Sequence, residues 1–495
     1  MSDAIERAVS SPPRWDEVGT APALTGLRRR SLAPLDVLAP SLAAAKPAAT
    51  ALVLPVLLTA YVGPGAWLSV VIAVAGALLL CSVIEQFTSR MVTSGSLYTF
   101  VVTGLGPWAG VVTATAMVVG YSFAAGYALT STGLAGRALV AHQMGATPTF
   151  DLFDAGAVLL IGLGCGQVLV RRVTAFTAVT LLIQVVTVVA VGYLLVLVGP
   201  QVGGTDLFSL AGADPVRVTG GAAVVLALLV GFECSASLGA EAARPFRSVP
   251  RSMRVAVLVT GGLSLLTTLL LGGDSGPLLD ALRHSVRIEH LWFPDGGFGL
   301  TLFRVTRILS LLACALAVWA AMTRLVFTLA LEGLLPRRLA ETHPRYATPY
   351  QAVRWTGPLV IVPGVLLLLG DHGLQSVIAS LLDTSGLVMM VAYLLVCVAA
   401  PSFLNRLGEL TGRSVAAAVL AVLVLAGAIV CSIAWQESRG DAAYSRLVAL
   451  SVVPVATCWY AALRRLRPDA LRRAGLHDGT IATDTWRAGD PGPGA

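Results

Sequence analysis

The sequence predicts an all-α polytopic membrane protein of twelve transmembrane helices. Three observations carry that expectation: hydrophobic residues make up 56% of the chain against 12% charged, apolar stretches of about 20 residues recur along it, and arginines gather in the termini and in every second connection. A soluble globular chain has a very different balance of apolar and charged residues.

Hydropathy windows of about 19 residues place segments near 35–60, 66–84, 106–130, 152–170, 173–198, 218–242, 255–272, 304–330, 353–370, 374–400, 414–434 and 446–463. The chain then divides into a polar tail over 1–34, a transmembrane domain over 35–467, and a polar tail over 468–495 whose composition predicts disorder. The first 34 residues lack the apolar core of a signal peptide, so the first segment is expected to stay in the mature protein.

An even number of crossings puts both termini on one side. Arg28, Arg29, Arg30, Arg171, Arg172, Arg244, Arg247, Arg251, Arg254, Arg337, Arg338, Arg464, Arg465 and Arg467 all fall in the tails or in even-numbered connections. By the positive-inside rule that side is the cytoplasm, and the expected location is the cell membrane, as in a bacterial inner membrane. The net charge of +7 is thereby explained by topology. The arginines form no stripe on a soluble domain, so a nucleic-acid partner is not expected; the lipid bilayer is.

Seven cysteines, Cys81, Cys165, Cys234, Cys314, Cys397, Cys431 and Cys458, lie inside these segments without the paired spacing of a metal site and read as small packing residues. The histidines His142, His284, His290, His343, His372 and His477 fall in expected loops or the tail. No intramembrane histidine centre is available for catalysis. Neither a metal, a cofactor nor a catalytic set is therefore expected.

Ionisable residues at bilayer depth are the informative ones, because a charge there is costly and faces a cavity or a partner. Lys46, Glu233 and Asp383 stand out. Lys46 is the only lysine of the chain, and it lies eleven residues after Leu35, about 16 Å into the membrane at 1.5 Å per residue. It either lines a functional cavity or snorkels to an interface. Pro47 follows it directly and should break the helix near Ala44 to Pro47, since proline removes a backbone donor and clashes with the preceding turn.

Segment 6 is interrupted by Gly231-Phe232-Glu233, with Glu233 about 21 Å from the opposite side. Breaks at similar depth in the first and sixth segments fit two five-helix halves of inverted orientation, about 35–198 and 218–400, followed by two extra helices over 414–463. That arrangement is a pointer to a midplane substrate site in a transporter. Glu233 then reads as a proton-sensitive gate or as a structural partner of Lys46. Asp383, followed by Thr384, Ser385 and Gly386, reads either as a transport residue or as the cap of a local helix break. Tyr121 and Trp319 are expected to pack rather than to face the pathway.

Three stretches now carry a family resemblance. SGSLYTFVVTGLGPWAG, Ser94 to Gly110, is similar to a Ser-Gly-Gly-x-Tyr-x-Tyr motif and its following glycines; GFECSASLGAEAARPFRSVPRSM, Gly231 to Met253, to a Gly-Phe-Glu, Glu-x-x-x-Pro and Pro-Arg pattern; and LEGLLPRRLAETHPRYATP, Leu331 to Pro349, to an Arg-Asp-Gly-Leu-Leu-Pro loop. In this order they resemble the amino acid-polyamine-organocation family of permeases, over roughly residues 35 to 400.

The resemblance implies the leucine-transporter type of fold, a 5+5 inverted repeat, and secondary active transport of an amino acid or related small molecule by alternating access. The substrate would lie against Ala44, Ala45, Lys46, Pro47, Ala48, Gly231, Phe232 and Glu233, with Phe232 as an apolar wall. Glu233, Lys46 and Asp383 become the candidates for proton coupling or gating.

The chain departs from the family where members carry Gly-Ser-Gly at the first break and this sequence has Ala44-Ala45-Lys46-Pro47-Ala48. Free N-H groups of the following half-helix can still attract an anion, and Lys46 adds a full charge. An amine and an organic anion thus join the amino acid as candidate substrates, the anion favoured by the extra charge, with protons as a candidate partner. Segment 5 offers Thr177, Thr180, Gln184 and Thr187 but not the lysine that proton-coupled relatives place there.

Pro245 and Pro250, among arginines, are expected to stop the sixth helix, and Gly333 with Pro336 the eighth. The long stretch from Gly272 to Phe303, with Asp274, Asp280, His284, Glu289, His290 and Asp295, reads as an amphipathic lid, and is the one place an embedded enzyme's site would hide. A transport-inactive permease homologue acting as a sensor is the other rival reading.

Overall fold

The computed structural model describes residues 26–144, 151–198, 208, 210, 212–271, 293, 297–369, 374–439 and 442–475. Its helices are α1 Pro34–Ala45, α2 Pro47–Tyr61, α3 Ala66–Thr88, α4 Leu97–Leu105, α5 Pro107–Met144, α6 Asp151–Val170, α7 Val173–Val198, α8 Pro215–Leu228, α9 Pro245–Leu271, α10 Gly297–Leu331, α11 Tyr350–Leu369, α12 Leu374–Arg406, α13 Gly412–Arg439, α14 Ala442–Leu466 and α15 Pro468–Arg472. Short 3-10 helices cover Phe232–Leu238 and Arg337–Ala340. Among the described residues there is no strand, only a single bridge between Leu32 and Ala242.

Among the described residues eleven elements are long and apolar enough to cross a membrane, and the shorter apolar helix Asp154–Val170 supplies a twelfth. The chain is thus a multi-pass, all-α membrane protein, with α1 and α2 forming the first span and α8 with its 3-10 continuation the sixth. Each of the twelve expected segments finds its helix. Most helices run past the hydropathy windows, α5 to Met144 and α9 from Pro245, because a window registers only the apolar middle, whereas helix ends that leave the hydrocarbon keep their hydrogen bonds and turn polar.

Packing sorts the spans. The apolar windows of the first and sixth spans are each 89% buried, against 22% and 17% for the last two spans. The broken pair therefore forms the centre, packed chiefly against α3, α7, α9 and α10, and α13 and α14 present Leu423, Val430, Leu447 and Leu450 outward, where lipid rather than water is the solvent.

Four expectations change. His142 falls in helix α5 rather than in a loop. Pro245 opens α9 instead of ending the sixth span, which has already turned at Gly239; proline at a first helical position costs nothing, since its N-H would have no partner there. Helix α12 runs unbroken through Asp383, so there is no helix end at that position for the carboxylate to cap; Asp383 is half-buried. The C-terminal tail keeps its order to Gly475: α15 follows the last span, and the Gly475 N-H donates to Glu332 Oε1 at 3.0 Å. The stretch over 272–292 with most of the expected lid residues, and the tails over 1–25 and 476–495, lie outside the described residues.

Candidate functional site

The first break follows from one dipeptide. A residue before proline is pushed out of the right-handed helical region, and Lys46 sits at φ 45°, ψ 56° between α1 and α2. Its N-H closes α1 on the Ala43 carbonyl at 3.0 Å, and its carbonyl accepts from the Thr50 N-H at 3.0 Å. The second break lies between Leu228 and Phe232, where Gly231 adopts φ 105°. That left-handed value suits glycine alone. A Cβ on Gly231 would also meet the Ala44 Cβ at 2.7 Å, so the two breaks touch.

The first break leaves few backbone donors for a ligand. Pro47 has no N-H, the Ala49 N-H donates to Ser310 Oγ at 3.2 Å, and Thr50 is bonded to Lys46. The Ala44 carbonyl accepts from Cys314 Sγ at 3.3 Å and the Ala45 carbonyl from Thr50 Oγ1 at 3.4 Å. The expected anion site on the α2 N-terminus is therefore largely filled by the chain itself.

Lys46 is buried, and its Nζ donates to the Leu228 carbonyl at 2.8 Å, across the gap between the two broken spans. Its ammonium also stands 6.0 Å from the Tyr127 ring centroid, within reach of a cation–π contact. Glu233 is fully buried and accepts from Tyr121 Oη at 2.8 Å, from Tyr393 Oη at 2.5 Å and from the Gly231 N-H at 3.1 Å. Among the described residues no ion pair joins Lys46 to Glu233, so the expected direct pairing is absent from this conformation. The reason is geometric. Each charge is satisfied on its own side of the break: Lys46 by a helix-terminal carbonyl, Glu233 by two phenols from α5 and α12.

A cavity of about 220 Å³ runs from Lys46 along α2 to Tyr61, lined further by Thr50, Tyr127, Ser131, Leu228 and Arg307 and by aliphatic residues including Leu57, Leu311 and Leu382. Of the eight expected substrate contacts only Lys46 lines it. Ala44 turns to Gly231 and Cys314, and Ala48 packs in a cluster with Val191, Leu194 and Phe303. Ala45 and Pro47 are buried away from the cavity. Phe232 stacks on Tyr393 with ring centroids 5.5 Å apart instead of forming a cavity wall, and Gly231 and Glu233 do not line the cavity either.

Tyr121, expected to pack, instead holds the Glu233 carboxylate, and Tyr393, Tyr127 and Ser131 join the site without any sequence expectation attached to them. The signal that marks them is a hydroxyl inside an otherwise apolar segment. Trp319 keeps to packing, its Nε1 donating to Thr356 Oγ1 at 2.8 Å. Among the described residues no three His, Cys, Asp or Glu side chains gather as a metal site requires.

On the arginine-rich side of the breaks the structure is closed. The Ser235 N-H donates to Ser41 Oγ at 2.9 Å, Leu32 and the 241–243 turn exchange backbone hydrogen bonds at 3.1 and 2.9 Å, and Arg324 Nη2 meets Glu241 Oε2 at 3.0 Å with both side chains buried. Further out, Tyr98 donates to Glu332, which also accepts from Gly475. Burial, together with the neighbouring carboxylate, pushes the Tyr98 phenol well above its ordinary range, so it stays a donor. The three stretches that carried the resemblance thus meet in space: Tyr98 of the first donates to Glu332 of the third, and Ala240 and Phe246 of the second pack in one cluster with Leu331 of the third.

Comparison with known proteins adds two findings. The model of a family described as amino acid permease matches residues 39–406. Among curated relatives, a branched-chain amino acid permease of Bacillus subtilis is 24% identical over 329 residues, 62% of this chain and 69% of that protein. A gamma-aminobutyric acid permease of the same organism is 24% identical over 359 residues, covering 68% and 72%. An uncharacterized transporter of Mycobacterium tuberculosis is 23% identical over 309 residues, covering 60% of this chain and 65% of its own length.

Proposed function

The chain belongs to the amino acid permease family, with about three quarters of its length inside the family match, and from that premise we propose a secondary active transporter for an amino acid or a related small organic molecule. The observation that carries the reading is the pair of touching breaks at Lys46 and Gly231, with a cavity leading away from the first of them and closed structure on the arginine-rich side. Discontinuous helices at mid-membrane, in the first and sixth spans, are the places where inverted-repeat transporters hold substrate.

In this reading the arginine-rich face is cytoplasmic and the present conformation is outward-facing. Substrate enters past Tyr61 and settles beside Lys46. Rocking of the two halves then parts the Ser41–Ser235 and Arg324–Glu241 contacts and releases it on the other side. Glu233, held by two tyrosines next to Gly231, is the proton-sensitive group, and a proton is the expected coupling ion. Asp383 lies one residue beyond Leu382 of the cavity wall and is a secondary candidate for gating.

Transport, rather than catalysis, is what family membership supports, and the names of two relatives point to amino acids and γ-amino acids as the first substrates to test. Uptake of radiolabelled amino acids into proteoliposomes, with and without an inward proton gradient, tests the proposal. A cysteine introduced at Leu57 should be labelled from outside and protected by any transported substrate. Absence of uptake or exchange across the whole panel would leave the sensor reading in its place.

A further inference from the structure

We propose that the cavity selects a small aliphatic carboxylate whose amino group is dispensable, because the cation at the helix break is supplied by the chain itself as Lys46. The inference rests on the transport reading above and narrows its substrate class.

Helix α8 ends at Leu228, and the last carbonyls of a helix are left without intrahelical partners and carry the negative end of its dipole. Inside a membrane such a carbonyl is a natural seat for a ligand's ammonium. Here the seat is taken: the Leu228 carbonyl accepts from Lys46 Nζ at 2.8 Å, and both residues line the cavity. An amino acid entering with its ammonium first would have to displace a tethered ammonium from the same oxygen.

The rest of the cavity agrees. Among the described residues lining it none is acidic; its polar groups are Lys46, Arg307 and the hydroxyls of Thr50, Tyr61, Tyr127 and Ser131. The neighbouring carboxylates are engaged or outside: Glu233 is held by Tyr121 and Tyr393, and Asp383 adjoins the wall at Leu382 without lining it. An ammonium carries three donors, and Leu228 is the only hydrogen-bond acceptor Lys46 has among the described residues. Donors thus remain for a carboxylate at the inner end, while Val53, Leu57 and Ile378 form an aliphatic wall.

Three probes share one branched aliphatic body: isocaproate carries only the carboxylate, isoamylamine only the amine, and leucine both. With purified full-length protein, isocaproate should raise the thermal unfolding midpoint at least as much as leucine at equal concentration, since a ligand bound only to the folded state stabilises it by mass action. Isoamylamine should leave the midpoint unmoved. Lys46→Gln should weaken isocaproate binding tenfold or more, and Lys46→Arg should retain part of it.

A shift with leucine and none with isocaproate overturns the inference, as does a shift with isoamylamine or no shift with any of the three. The wild-type comparison needs no variant, so it decides the matter even where the Lys46→Gln protein folds poorly. The two readings fail separately. Leucine uptake into proteoliposomes that isocaproate does not inhibit leaves transport standing and removes the inference. Isocaproate binding without transport of any species does the reverse.

Discussion

Arg324 Nη2 lies 3.0 Å from Glu241 Oε2, and both side chains are buried where the eighth span meets the turn after the sixth. Desolvation makes such a pair a poor net stabiliser, yet removing one partner strands the other charge.

Arg324→Ala is therefore expected to cost about 3–5 kcal/mol, and a double replacement of Arg324 and Glu241 by apolar residues of similar size to recover most of it. Unfolding midpoints in detergent measure both. A double variant as unstable as Arg324→Ala would show that the pair does more than neutralise itself.

Glu233→Gln keeps the shape of the side chain but turns one of its two accepting oxygens, Oε1 held by Tyr121 or Oε2 held by Tyr393, into an amide that cannot ionise. The expected outcome is a folded protein whose transport no longer varies with pH. Proteoliposome uptake between acidic and neutral pH decides; an unchanged profile removes Glu233 from coupling.

Because Lys46 and Glu233 use separate partners, Lys46→Ala and Glu233→Gln should be close to additive in stability, coupling by less than about 1 kcal/mol. A directly paired lysine would instead become dispensable once Glu233 is neutralised. The double-mutant cycle on unfolding midpoints separates the two arrangements.

Gly231→Ala places a Cβ 2.7 Å from the Ala44 Cβ and forces an L-residue to φ 105°. The conformational strain alone is of order 1–3 kcal/mol, and the clash pushes the two breaks apart. Transport should be lost with the protein still inserted in the membrane; near-normal uptake would mean that the breaks need not touch.

Deleting the chain from Arg467 onward removes the Gly475 N-H and the Arg467 guanidinium from Glu332 and Gly333. Glu332 keeps Tyr98 but loses a buried partner, at an expected cost of about 1–3 kcal/mol. Faster proteolysis between α10 and α11 in the shortened protein would register the loosening; identical cleavage rates would show that the C-terminal segment holds nothing there.

Sequence alone determined the class of molecule, the twelve spans, the break at Lys46-Pro47 and the family, because each rests on local chemistry: runs of apolar residues long enough to cross a bilayer, a proline that forbids its predecessor the helical region, and short motifs in fixed order. It also singled out Lys46 and Glu233, since buried charge is costly in any fold. Tertiary structure decided their partners. Leu228 stands 182 residues from Lys46, and Tyr121 and Tyr393 stand 112 and 160 from Glu233. A carbonyl available at a helix end, or a phenol turned inward on a neighbouring helix, has no local signature, because only the rotation and packing of whole helices brings it within hydrogen-bonding distance.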